Sequence, residues 1–507
     1  KRYRDMPGVV PSRFSRIEDA LARMHGYAAA RDDIPVINDE LYLEEHRGVY
    51  TTKGRLKKLN RRLEYLLRDA EMLSVLAAGP YPAADLDAAW KQLLTTQFHD
   101  SLPGTHVPPA YLDILEMLDD CRAKAEAAVT TALATLAPAP SANAADGAEI
   151  CLQVFNTEPR PRTRLVEWPC DLDQAHVLGP DNAEIPSQFS ESFETGHRVL
   201  VFPATVPACG QAFYRILPTA GAATADNAAG SDRVLENDHL RVEFDGQGEI
   251  VSLFDKHARR ECIEPDRRGN VFQLFEDLPG TFDAWDIEMH YEDTEFELEP
   301  GTVSRGESGP VFSSLVIRKP VLGSSLVQRV RLARDARRLE FETRIDWKER
   351  HKLLKVRFHT VIRSRTATYD IAYANIDRPT TRNNSFETAR FEVPGHEWMD
   401  LGQPDHGLSL LTDSKYGYEC RDGRLGLSLL KGPMYPDPTS DIEEHRFSYA
   451  LYPHAGNWRA AGTIEEASDL NIPFHARQVA AAADPAAGSS FLALGEPGIK
   501  QIGRAHV

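Results

Sequence analysis

Residues 51–76 read Thr-Thr-Lys-Gly-Arg-Leu-Lys-Lys-Leu-Asn-Arg-Arg-Leu-Glu-Tyr-Leu-Leu-Arg-Asp-Ala-Glu-Met-Leu-Ser-Val-Leu. Leu56, Leu59, Leu63, Leu66, Leu67, Ala70, Leu73 and Leu76 recur mainly every third or fourth residue, with Arg and Lys between them. That spacing predicts an amphipathic helix. Thr51 and Thr52 offer a hydroxyl N-cap, and Gly79-Pro80 stops the run. Working outward, a second helix starts near Asp85 and groups Leu86, Ala89, Trp90, Leu93 and Leu94 until Pro103-Gly104 breaks it. A third starts near Pro109 and carries Leu112, Leu115, Leu118, Cys121 and Ala125. Three helices with short connections predict a small bundle over 51–137. On the other side, residues 1–50 are mixed. Pro35-Val36-Ile37 reads as a short extended run entering a charged loop.

Past residue 150 the apolar period changes to two. Cys151–Asn156, Val199–Phe202, Leu240–Phe244 and Leu339–Thr343 alternate or run apolar, and turns such as Asp245-Gly246-Gln247-Gly248 punctuate them. Many short strands with few helical patterns predict β-sandwiches, a small one over 150–220 and a large one over 232–501. Stretches 136–149, 219–232 and 480–490 have linker composition. The fold class read from this order is α+β multidomain.

The 507 residues hold 58 Lys+Arg against 76 Asp+Glu, a net charge of −18. A basic nucleic-acid groove is therefore not the expected function. Hydrophobic content of 42% with 26% charged residues is that of a folded globular protein. No apolar run approaches the length of a membrane span. The basic start at Lys1-Arg2 lacks the apolar run of a secretory signal. The six cysteines, 121, 151, 170, 209, 262 and 420, form no CxxC pair and fit a reducing compartment.

Four segments carry the candidate chemistry. In Gln97-Phe98-His99-Asp100, at the end of the second helix, an imidazole stands beside a carboxylate. It reads either as a metal ligand pair or as a histidine favoured by the helix dipole. The crowded acids, arginine and tyrosines of Asn38–Thr52, with Arg47 among them, read as a polar pocket wall or as a solvated loop. Asp283-Ala284-Trp285-Asp286 flanks an aromatic with two acids, which suits sugar hydroxyls and a sugar's apolar face, or else a structural loop. Within 378–441, Lys431 either points a charge at a ligand or is an exposed strand end.

Taken together, these segments resemble an α-mannosidase of glycoside hydrolase family 38, in the branch that includes bacterial enzymes and the cytosolic animal enzyme. Glu40-Leu41-Tyr42-Leu43-Glu44, His46-Arg47-Gly48 and Tyr50-Thr51-Thr52 are similar to that branch's ELYLExHRGTYTT text. Gln97–Asp100 is similar to its NQFHD motif, with Thr96 in place of Asn. Leu235-Glu236-Asn237, Leu274–Asp277, Asp283–Asp286, Arg390–Pro394 and Ala450–His454 follow in the family's order. The resemblance implies a retaining exo-glycosidase that removes terminal α-linked mannose from oligosaccharides with two carboxylates. It also implies one divalent metal per site, zinc or in this branch cobalt, that grips sugar hydroxyls. His99 is then the metal ligand carried by the bundle and Asp100 a substrate contact. Arg47, Asp283, Trp285, Asp286 and Lys431 are further expected substrate-binding positions. A cytoplasmic location and a homo-oligomer are expected, with no nucleic acid or membrane partner.

The family's HxD motif, nucleophile and acid/base aspartates precede the ELYLE text, so in this numbering they fall before Lys1. No catalytic carboxylate is expected inside the chain. Residues 1–50 are then the tail, or remnant, of an α/β catalytic domain, and the isolated chain is expected to be inactive. The final Ile502–Val507 matches the translation of a common sequencing adapter and is expected to be an artefactual tail. Two alternatives remain at this point: a mannosylglycerate-type hydrolase of the same family, and a non-catalytic carbohydrate-binding β-sandwich protein.

Overall fold

The computed structural model describes residues 7–8, 14–136, 149–219, 232–480 and 488–492. The linker stretches 137–148, 220–231 and 481–487, and the tail at 502–507, lie outside the described residues. The chain forms two compact units, residues 1–43 and 44–507. The boundary falls earlier than the sequence reading put it, so Glu44–Tyr50 belongs with the bundle and sandwiches. In the first unit, helix α1 (Ile17–Ala29) opens with Glu18 and Asp19 in its first turn, which suits its dipole. It buries no residue. Ile17, Leu21 and Met24 recur at helical spacing along it, a signal the reading of 1–50 as mixed passed over. Pro35-Val36-Ile37 forms no strand.

In the second unit the leucine spacing forms helix α2 (Gly54–Leu76), followed by α3 (Ala83–Thr96) and α4 (Pro108–Leu136). Leu63, Leu67 and Leu73 of α2 close a core with Leu86, Trp90 and Leu93 of α3 and with Ile114, Leu118 and Val129 of α4. Burying each such side chain contributes about 1.5–3 kcal/mol before entropy is counted. Phe155, fully buried on the first strand after the bundle, joins the same core. The expected Thr cap of α2 is not formed. Lys53 takes the N-cap position in left-handed backbone, φ 56°, with no side-chain cap. The Asp441 carboxylate, 387 residues on, accepts instead from Lys53 N (2.6 Å) and Gly54 N (2.8 Å). Thr52 donates its hydroxyl to Gly48 O and Ala284 O.

The small sandwich packs one sheet containing Ile150–Asn156, Gly210–Pro218 and Ala175–Leu178 against a three-stranded sheet of Arg162–Pro169, Arg198–Val206 and Gln188–Glu191. Alternating residues of both sheets, among them Leu152, Val154, Val166, Phe202 and Tyr214, form its core. Strand His475–Val479 pairs antiparallel with Ile150–Asn156, so the small sandwich is completed by a segment that linear order assigned to the large one. The large β region holds a four-, a six- and a nine-stranded antiparallel sheet. Its six-stranded sheet centres on Lys352–His359 beside Arg424–Lys431, strands buried on both faces. Phe341 and Tyr449 of the nine-stranded sheet meet Phe358 of the six-stranded one, and Tyr369 meets Tyr418. No helix among the described residues is long and apolar enough to cross a membrane.

His475 Nε2 sits 2.8 Å from Asp69 Oδ2, tying the returning strand to α2. Burial opposes the charge on Asp69, but the Arg68 guanidinium and His475 outweigh it and hold the carboxyl near 2. A depressed folded value means the stabilisation is present above the unfolded value and is lost as pH falls toward 2. Between pH 5 and 2 the native chain is therefore expected to lose about 2 kcal/mol more stability than Asp69→Asn, read from urea unfolding across that range.

Candidate active-site wall

The Glu44–Lys53 segment is laid along the loop 282–286. Gly48 N donates to Trp285 O at 2.7 Å, Val49 N to the same oxygen at 3.2 Å, and His46 N to the Asp286 carboxylate. Thr52 Oγ1 reaches Ala284 O at 2.8 Å. Only a glycine fits at 48: a Cβ there would lie 2.8 Å from Asp286 O and from Lys431 Cε. Each bond contributes about 1 kcal/mol, and the set fixes the register of the two segments. Asp283 is held in turn, accepting from Met434 N (2.7 Å) and from His351 Nε2 (3.0 Å). Its Oδ1 is buried and accepts no hydrogen bond among the described residues.

The turn that follows α3 is stitched to the start of α2. Lys57, buried, donates its ammonium to Thr52 O, Leu102 O and Pro103 O. Burial first, then the neighbouring Lys415, pushes this amine down to about 7 against the pull of Asp441. Gly104, at φ +86°, brings its backbone so close that a Cβ would sit 2.6 Å from Lys53 Cβ. Lys53 Nζ pairs with Asp437 at 2.6 Å and lies 3.9 Å from the centre of the Tyr111 ring. Both partners of that pair are almost fully buried.

Within the turn, Gln97 is anchored to Asn60 and Glu64 of α2 at 3.0 Å each. Asp100 Oδ1 accepts from Thr105 Oγ1 at 2.9 Å. His99 is free of the core: its side chain is 74% exposed, its ring lies on Phe98 at 4.1 Å, and its Nε2 is 3.6 Å from Asp100 Oδ2. The motif thus splits into an anchoring glutamine and an outward imidazole and carboxylate.

The remaining positions divide. Asp286 and the Trp285 carbonyl hold the Glu44–Lys53 segment, and the Trp285 ring meets Phe282 edge-on. Arg47 turns inward, donating to Ala389 O and stacking over Phe391 at 4.4 Å. Lys431 is corrected on both readings. Its side chain is fully buried and ion-paired with Asp277, so it is neither an exposed strand end nor a group presented to a ligand. The pair stands where strand Val271–Glu276 leaves the sheet beside Lys352–His359. Asp277, Asp437, Asp441, Lys53 and Lys57 were not singled out by sequence. The acid spacing 437 and 441 among prolines was the available signal, but a carboxylate's distant partner cannot be read from it.

A catalytic zinc needs about three protein ligands. Among the described residues no three His, Cys, Asp or Glu side chains group closely enough to hold a metal. His99 and Asp100 are only two side chains, so these residues alone do not fit a complete site.

Residues 235–439 match the glycosyl hydrolases family 38 C-terminal domain, and 44–136 match the alpha mannosidase middle domain. The chain is 35% identical to alpha-mannosidase 2C1 of Mus musculus, over 92% of this chain and 44% of that protein. It is 33% identical to alpha-mannosidase G of Dictyostelium discoideum, over 86% of this chain and 43% of that protein. An alpha-mannosidase from Enterococcus faecalis V583 has the same fold, with a TM-score of 0.76 at 17% identity, covering 92% of this chain and 62% of that one. The chain therefore belongs to glycoside hydrolase family 38. It spans less than half the length of the curated relatives it matches.

Proposed function

We propose that this chain is the middle and C-terminal part of a retaining, metal-dependent α-mannosidase that cleaves terminal α-linked mannose from oligosaccharides. The observation that carries this reading is the outward His99–Asp100 pair, rigidly mounted on a turn stitched to the same α2 start that holds the 282–286 loop. In this proposal His99 gives one ligand to a zinc or cobalt ion completed by residues outside the chain. The ion would supply orientation and polarisation of sugar hydroxyls. Asp100 accepts from those hydroxyls, and Asp283, Trp285 and Asp286 shape the wall behind them. Six free cysteines, five of them buried, favour a cytoplasmic setting.

Two measurements test this. The chain by itself is expected to release no aryl group from an activated aryl α-mannoside. Joined to the N-terminal part of the mouse relative, upstream of the matched region, it is expected to turn over. His99→Ala in that fusion should lower kcat/KM by about 100-fold or more and weaken metal retention, as loss of a metal ligand does. Turnover unaffected by His99→Ala would remove the metal assignment.

A further inference from the structure

A cavity of about 200 Å³ lies between the first turns of α2 and the start of strand Glu444–Ala455. In a chain of net charge −18 its lining is cationic: Arg55, Lys58, Arg62, Lys415 and Arg446 against Glu194 and Glu444. Arg55, Lys58 and Arg62 share one face of α2 by helical spacing. Arg55 and Arg62 are each about half exposed and can be reached from solvent.

Lys415 is the telling member. Its side chain is buried, and its ammonium donates to one carbonyl, Leu429 O, at 2.6 Å. It lies 4.1 Å from the centre of the Phe447 ring. Among the described residues no carboxylate stands within ion-pair distance of its ammonium, and Asp441 and Asp413 act on it only from farther off, so a buried cation lines the cavity with no carboxylate in direct contact. Such a charge is costly unless an anion meets it. The cavity already shows which chemistry it accepts. Glu194, on the turn between strands Gln188–Glu191 and Arg198–Val206, places one carboxylate oxygen 2.8 Å from Lys58 Nζ and 2.6 Å from Arg62 Nη2.

We propose that this cavity binds a small phosphate-class oxyanion, with Lys415 as its buried cation, Arg62 and Arg55 as its outer clamp, and Glu194 as an internal competitor for the clamp. The site stands on this chain's own residues and does not depend on the mannosidase reading. Burial lowers the Lys415 amine to about 8, with Lys58 also acting to lower it and Asp441 and Asp413 acting to raise it. The other charged groups around it are Lys57, Arg55, Arg62, Glu194, Glu444 and Arg446, with His445 beside them. An arriving anion therefore draws a proton onto Lys415.

The test is calorimetric titration of the full chain with inorganic phosphate at the pH where Lys415 is half charged, near 8, in two buffers of different ionisation heat. Saturable binding with net proton uptake is expected. Lys415→Met should weaken it about tenfold and abolish the uptake, since one charge-assisted contact is worth about that factor. Arg62→Ala, a change at an exposed position, should weaken it while the uptake persists. Glu194→Gln should tighten it, because the change frees Lys58 and Arg62 from their carboxylate partner. A hexose 6-phosphate that binds more tightly than phosphate assigns the site to esters, and equal affinity assigns it to the free ion. No saturable binding up to about 10 mM, indifference to both Lys415→Met and Arg62→Ala, weaker binding in Glu194→Gln, or equal binding of the unphosphorylated hexose would each overturn the proposal.

Discussion

Asp441→Ala is expected to lower the stability of the 44–507 unit by about 3–5 kcal/mol, the largest single loss in the α2 region. The carboxylate is 1% exposed and takes both backbone donors at the start of α2. Alanine would leave two buried N–H groups unpaired, each costing about 1–3 kcal/mol, and would remove a cap of about 1 kcal/mol. It would also remove the nearby negative charge that supports the buried amines of Lys57 and Lys415. Asp441→Asn keeps one acceptor oxygen and should recover about half the loss. Urea unfolding measures both. A loss under about 1 kcal/mol for the alanine variant would show that α2 starts without this carboxylate.

Lys355→Met is expected to cost a similar amount, about 3–5 kcal/mol, for a different reason. Lys355 is fully buried between Glu392 and Glu419, with Arg357 and Arg424 on the far side of Glu419. Burial works against the charge on Glu419, yet Arg357, Lys355 and Arg424 hold its carboxyl well below the usual range. On Glu392 burial prevails and raises the carboxyl despite Lys355. Removing the lysine takes the paired ammonium away from the buried Glu392 carboxylate, which also accepts from the Ser428 hydroxyl. The double variant Lys355→Met with Glu392→Leu removes both sides of the pair, and should return most of the stability because paired burial roughly breaks even with apolar packing. A double variant as unstable as the single one would show that the wider cluster, not this pair, carries the cost.

Much of the architecture could be read from local pattern. The leucines of 54–76 pointed to α2 because a helix that buries one stripe must repeat its apolar residues at helical period. Two strands of the small sandwich, at Ile150–Asn156 and Arg198–Val206, were visible as short apolar runs, and the others were not singled out. His99 and Asp100 could be singled out in sequence because they stand where a helix ends; that they are left outward, 74% and 47% exposed, came from the structure. Lys431 was misread because a lysine at a strand end looks the same whether it meets water or Asp277. Thr51 and Thr52 were misread as a cap because capping chemistry was present locally, while the actual acceptor came from residue 441.

The sequence by itself determined the order of bundle and sandwiches and the family. Each of these rests on local period or on short motifs whose partners are near in the chain. Only the tertiary structure decided what caps α2, where Lys431 goes, that His99 and Asp100 are left outward, that the strand at 475–479 returns to the small sandwich, and that buried Lys415 lines a cavity with no carboxylate in direct contact. Those outcomes depend on charges and hydrogen-bonding groups brought together across hundreds of residues. Their energies are set by burial and distance in space, neither of which linear spacing contains.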